Sequence, residues 1–288
     1  NPLIAEERKE YHLTLNNPTY DCIFKKVFKS NSQCLIELLN AIYHEKINQL
    51  TYIQEEHSNP MSTWGEKSVI FDLHCVTESG TRFIVEVHNY SIGEGFLNRL
   101  QIYSAQSLVD AWRKVKSERG KRYDDVVPKV RTLAFVKFGM HWLRQFQTCN
   151  GIYYFSCTYI SDHQFVKVDF LQDYTIVDLA ESRRILESTS LSSDVDNLKD
   201  WMTFLTRNDQ EKVTLVANPS SVLLKAYLDA SNLSEEDMTA LEREKQGLLD
   251  NLSVLEEGEK RGEKRGRKKT IKRLSSKMKE KGYKPEEI

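Results

Sequence analysis

The clearest hydrophobic pattern in the chain lies between Val69 and Asn89, in the stretch VIFDLHCVTESGTRFIVEVHN. Its odd-numbered positions Val69, Phe71, Leu73 and Cys75, then Phe83, Val85 and Val87, are all apolar. A period of two is that of a strand, so the pattern predicts two strands with one face on a core. The opposite face carries Asp72, His74, Glu86 and His88 beside Ile70 and Ile84. Glu78-Ser79-Gly80 fits a three-residue hairpin loop, with Gly80 where a positive φ is needed. In that register Thr77 faces Thr81, Asp72 stands opposite Glu86 and Ile70 opposite His88. A two-residue turn would break the apolar stripe and put the two carboxylates on different faces.

Helical periodicity appears on both sides of this hairpin. Phe24, Val27 and Phe28 share a face after Thr19, the expected cap, with Asp21 in the first turn, where it suits the helix dipole. Leu35, Leu38, Leu39 and Ile42 predict a second core helix, and Phe96, Leu100, Tyr103, Ser107 and Leu108 a third lying on the sheet. Val130 to Phe138 reads as a buried strand. Ile152 to Ile160 and Phe165 to Phe170 read as an accessory sheet extension. Asp194 to Arg207 and Ser221 to Leu228 are expected helices broken near Pro219, and Ser234-Glu-Glu-Asp opens a long charged helix in the manner of a capping box. Asn1 to Leu15 is a polar lead-in without a clear pattern.

The tail is compositionally separate. Glu257 to Ile288 holds thirteen Lys or Arg against six acids, in a repeated Gly-Glu-Lys-Arg unit. Glycine weakens a helix by ~1 kcal/mol each, so a solvated linker to a short helix over Ile271–Ile288 is expected, with a DNA-tethering or partner-binding arm as the other reading.

A chain of 288 residues is long enough for one cored domain with additions. No apolar run is long enough for a membrane span and no secretory leader is read, so an intracellular, cytoplasmic protein is expected. Five cysteines without a C-x-x-C pair fit reduced thiols. A formal net charge of −1 is no general nucleic-acid signature, so any basic surface is local. The densest basic run of the core is Arg113, Lys114, Lys116, Arg119, Lys121 and Arg122, flanked by Trp112 and Tyr123. It suits backbone contact with nucleic acid, and equally a solvated helix end.

Two carboxylates directly across a ladder repel, and a divalent cation reverses that sign. Asp72 and Glu86 are therefore candidate metal ligands. His88, on the same side, is able to act as a base, donate a hydrogen bond or bind metal. With His74 and His88 near, Mn²⁺ or Zn²⁺ would suit the set better than an all-oxygen Mg²⁺ site does. For His74 the satisfied sheet histidine is the favoured reading.

Asp72 followed by Glu86-Val87-His88 resembles the D…E-x-K/Q core of the PD-(D/E)XK nuclease superfamily. Asn17 to Phe28, containing Asp21-Cys22-Ile23-Phe24-Lys25-Lys26-Val27-Phe28, resembles the opening D-x-x-F-K-x-x-F of its Rpn group, the recombination-promoting nucleases or transposase-like proteins. Leu38-Leu39-Asn40-Ala41-Ile42, Ile84-Val85-Glu86 and the pair Arg99 and Tyr103 match further motifs of that group. The chain departs from the pattern at His88, where the superfamily has Lys and the Rpn group usually Gln.

The resemblance implies an α/β fold with a central mixed sheet flanked by helices, plus a helical C-terminal region. Its implied organisation is a nuclease-like domain with accessory strands over 11–190, a helical region over 191–256 and the charged tail over 257–288. The implied activity is metal-dependent hydrolysis of DNA phosphodiester bonds by an endonuclease acting in DNA recombination, using Mg²⁺ or Mn²⁺. Asp72, Glu86 and the Val87 carbonyl would hold the metal, His88 would take the place of the water-orienting Lys, and Asp21, His74 and Arg99 would support. DNA is the expected partner, with a second copy of the chain as a candidate for a homodimer. Two other readings stay open: an inactive protein of the same fold that binds nucleic acid or a partner, and a metal-dependent hydrolase of another substrate.

Overall fold

Helices cover both faces of a mixed sheet in a computed structural model that describes residues 8–53, 71–89, 95–116, 127–137, 143, 145–146, 148, 150–155, 158–161, 164–167, 170–188 and 197–280. In chain order, β1 (Lys9–Leu15) leads to helices α1 (Asp21–Ser30) and α2 (Ser32–Tyr43). Strands β2 (Leu50–Tyr52), β3 (Leu73–Thr77) and β4 (Arg82–His88) follow, then α3 (Gly95–Lys116) and β5 (Val130–Val136). Next come β6 (Ile152–Phe155), the hairpin β7 (Thr158–Ser161) and β8 (Gln164–Lys167), and β9 (Gln172–Asp178). The remainder is α4 (Leu179–Ser188), α5 (Asn197–Leu205), β10 (Glu211–Ala217), α6 (Val222–Ser231) and α7 (Glu235–Glu280).

The main sheet runs β2-β3-β4-β5-β9-β6, with β4, β5 and β9 parallel and the other pairings antiparallel. The hairpin register is the one its turn chemistry dictates: Leu73 pairs with Val85 and Val76 with Arg82 across a loop whose Gly80 has φ 85°. Parallel strands carry helices on both faces, and every residue of β4 is accordingly buried. Phe83 and Phe135 face α1 and α2, with the Phe135 ring 5.9 Å from Phe24 and the Phe83 ring 5.4 Å from Tyr43. The opposite face packs under α3, where Phe96 and Leu100 join Ala134, Val136, Tyr153 and Ile176. Phe71 departs from the expected stripe. It packs with Ile84 and Tyr103 on the α3 side, because the strand proper starts only at Leu73 and the chain bends at Asp72.

The structure differs from the sequence reading at three further places. Tyr20, not Thr19, is the N-cap of α1, and no side chain caps it. The lead-in is a strand: β1 pairs antiparallel with β10, and Asn16 donates to the Ala230 carbonyl of α6 at 3.1 Å. Helix α7 runs unbroken through the glycine repeat, where alternating Glu and Lys or Arg form bonds such as Arg261 to Glu257 at 2.9 Å. Its expected capping box is present: Ser234 Oγ accepts from the Asp237 amide at 3.1 Å, and Asp237 accepts from the Ser234 amide at 3.0 Å. The chain divides into two compact units, Asn1–Met238 and Thr239–Ile288, the second being largely α7. Among the described residues, no helix is long and apolar enough to cross a membrane.

Candidate active site

Asp72 lies at the bend just before β3, one step beyond the last ladder pair Leu73 and Val85, and meets Glu86 of β4 there; each is fixed by the other's backbone neighbourhood. The Asp72 amide donates to Glu86 Oε1 at 3.2 Å, and the Val87 amide donates to Asp72 Oδ2 at 2.8 Å. These bonds hold the acceptor oxygens in place before any ligand arrives. Glu86 is 3% exposed, which makes its charge costly without a partner.

The first turn of α1 brings a third carboxylate. Asp21 lies within hydrogen-bonding reach of Asp72, and its negative charge adds to that of the pair. Ile23, Phe24, Val27 and Phe28 bury the opposite side of α1 and so fix the helix that presents Asp21. Asn89, just beyond β4, ties the entry to this helix: its side-chain nitrogen donates to the Thr19 carbonyl, and Thr19 Oγ1 lies 2.7 Å from Asn89 Oδ1. Asn17 Oδ1 also accepts from the Thr19 amide at 2.9 Å. Sequence reasoning passed over Asn89, since a bond across 70 positions leaves no local pattern.

Electrostatics follow from this crowding. Burial pushes the Asp72 carboxyl up to about 7, helped by the Asp21 charge and opposed by the Val87 amide. Burial and then the Asp72 charge push Glu86 up to about 8, with Arg99 and Lys25 pulling the other way. Lys25 sits in the middle of the group, its Nζ 2.8 Å from Asp21 Oδ1 and 3.7 Å from Asp72 Oδ1. Burial opposes its charge, but the Asp21 hydrogen bond and the charges of Asp21, Asp72 and Glu86 prevail and raise its pKa.

The histidines are differently engaged. Burial, and then the Arg99 charge, push His88 down to about 3, so its ring is neutral near pH 7. Arg99 Nη2 lies 2.8 Å from Nδ1 and 3.0 Å from Nε2 and donates to whichever ring nitrogen lacks a proton. The Phe96 ring closes over the same imidazole at 4.7 Å. His88 Nε2 is 3.9 Å from Glu86 Oε2, which for a neutral ring is proximity rather than an ion pair. His74 is buried under α3, with Nε2 2.9 Å from Ser107 Oγ.

Of the basic run, the structure describes Arg113, exposed at the end of α3 and 3.5 Å from Asp110. Lys114 and Lys116 are seen as α3 backbone, and Arg119, Lys121 and Arg122 lie outside the described residues. Among the described residues, no group of three or more His, Cys, Asp or Glu side chains is arranged as a metal-holding cluster. The donor chemistry nonetheless fits a hard divalent ion. What converges is carboxylate oxygen, and burial makes its ionised form unstable without a cation.

Comparison with known proteins gives one family match. A family model described as PD-(D/E)XK nuclease family transposase matches residues 18–258, the greater part of the chain. No curated protein and no solved structure matches.

Proposed function

The chain belongs to the PD-(D/E)XK nuclease family transposases, and from that membership we propose a divalent-metal-dependent DNA endonuclease whose site is built on Asp72 and Glu86. The observation behind this reading is the pairing of two buried carboxylates, held by backbone amides, whose pKa values stay raised although Lys25 and Arg99 act on them. Asp72 and Glu86 would hold the metal, with the Val87 carbonyl as a further oxygen. When bound, the ion lowers the pKa of a coordinated water and offsets charge on a phosphate oxygen. The protein's part is to hold both carboxylates at fixed positions and to keep bulk water away from Glu86. Arg99, which lowers the Glu86 pKa, has its Nε buried without a protein hydrogen-bond partner and is a candidate for the phosphate. With His74 engaged by Ser107 and His88 by Arg99, the donor set favours Mg²⁺ or Mn²⁺ over Zn²⁺.

One observation favours a second reading, an inactive module of the same fold that binds nucleic acid or a partner. His88 is neutral and enclosed, so the motif's third position supplies no cation. Titration of the metal-free protein with Mg²⁺ or Mn²⁺, followed by thermal unfolding, separates the two. An ion that binds only the native state stabilises it, by about 2.7 kcal/mol at a hundred times Kd. The expected result is a concentration-dependent rise in Tm that Asp72→Asn and Glu86→Gln abolish. A Tm indifferent to both ions favours the inactive module.

A further inference from the structure

A phosphodiester brought to this site meets Asp21, Asp72 and Glu86 gathered within a few ångströms of one another, and the His88 ring there is occupied by Arg99 and flanked by Phe96. Among the described residues, two side-chain cations, Arg99 and Lys25, act on this group. Arg99 is engaged at the His88 ring, at 2.8 Å. Lys25 is the other: its Nζ bridges Asp21 on α1 and Asp72 at the head of β3, at 2.8 and 3.7 Å. An ordinary helix-surface pair would stop at Asp21, four residues away, and would not reach across to the sheet. Access distinguishes Lys25 as well. Its side chain is 30% exposed, against 4% for Glu86 and 6% for His88, so Lys25 is open to an incoming phosphate and water where those two side chains are not.

We propose that Lys25 is a catalytic residue of this site, its ammonium group touching the attacking water and the scissile phosphate. The role rests on the nuclease reading and adds to it a cation delivered from α1 rather than from β4. In the step it serves, the water oxygen forms a bond to phosphorus and the bond from phosphorus to one ester oxygen breaks. The water's proton passes to solvent, and the departing oxygen takes a proton from solvent. Lys25 stays protonated throughout. It donates hydrogen bonds that strengthen as negative charge grows on the phosphate, and the core-packed Phe24 and Phe28 on either side of it in α1 keep its backbone fixed.

The test uses the full chain as parent, Lys25→Met and Lys25→Arg. Plasmid cleavage is measured at saturating Mg²⁺ and Mn²⁺, Ca²⁺ binding by calorimetry and folding by Tm. The expected result for Lys25→Met is a loss of about 100-fold or more in cleavage rate, the scale for removing one electrostatic donor from a transition state. Its Ca²⁺ affinity should be equal to the parent's or tighter, since a competing cation is gone, and Lys25→Arg should recover part of the rate. Should Lys25→Met not fold, Lys25→Gln takes its place. Cleavage by Lys25→Met at the parent's rate overturns the proposal and leaves the nuclease reading standing. Loss of Ca²⁺ binding in step with cleavage also overturns it, since Lys25 would then only hold the carboxylates in place. A parent that binds Ca²⁺ yet cleaves nothing overturns the nuclease reading, and this role falls with it.

Discussion

Asp72 and Glu86 share a property that makes the metal-free protein sensitive to pH. Burial raises both carboxyl pKa values above their ordinary range, towards about 7 and about 8. A carboxyl whose native pKa lies above its unfolded one binds protons more readily in the native state. Its stabilising contribution is complete below the ordinary carboxylate range and is lost as pH rises through the native values. Without metal, Tm should therefore fall between about pH 5 and pH 8, and Asp72→Asn should flatten that decline and raise Tm at pH 8. Calorimetric melts across the range check this, and a parent whose Tm climbs with pH would show the carboxylates to be well compensated. The pairing was legible in the sequence because an apolar stripe and a glycine turn leave one register in which both acids share a face. Lys25 was not. Its spacing from Asp21 is visible in the chain, but its reach to Asp72 depends on how α1 meets the sheet.

At the scale of elements, the strongly periodic segments were readable: the β3–β4 hairpin, α1, α2, α3 and β5. Pairings between distant segments were not. Tyr11, Leu13 and Leu15 in β1 alternate over a short polar strand, and the partner β10 lies some two hundred residues on. Helix α7 was expected to break because glycine propensity is unfavourable, yet the flanking Glu and Lys or Arg pairs accompany an unbroken helix. Two glycines show what a turn does and does not demand. Gly151 has φ 76°, and a Cβ there would overlap Ser182 Oγ and lie 2.9 Å from the Asp178 carbonyl, against the β9–α4 junction. Gly80 has φ 85° with open space around it. Gly80→Ala should cost about 1 kcal/mol from backbone strain alone, and Gly151→Ala distinctly more because a steric clash adds to it. Urea unfolding midpoints measure both, and equal losses would mean that the junction yields freely.

Across the whole molecule, charge is nearly balanced, so contact with DNA must depend on local clusters. The run from Arg113 to Arg122 is the densest cluster of the nuclease-like part. If it meets the DNA backbone, neutralising Arg113, Lys114 and Lys116 together should weaken binding to all sequences alike and lower the salt dependence by about one unit of slope per lost contact. A slope identical to the parent's would assign these side chains to solvent. The central claim, that this fold holds a working metal-dependent site at Asp72 and Glu86, is tested most directly by cleavage itself. Parent, Asp72→Asn and Glu86→Gln are incubated with supercoiled plasmid and single-stranded DNA, with Mg²⁺, with Mn²⁺ and with chelator. The expected result is cleavage by the parent only with metal, and loss of about 100-fold or more in both variants despite native melting. Cleavage by either variant at the parent's rate, or by the parent in chelator, would contradict it.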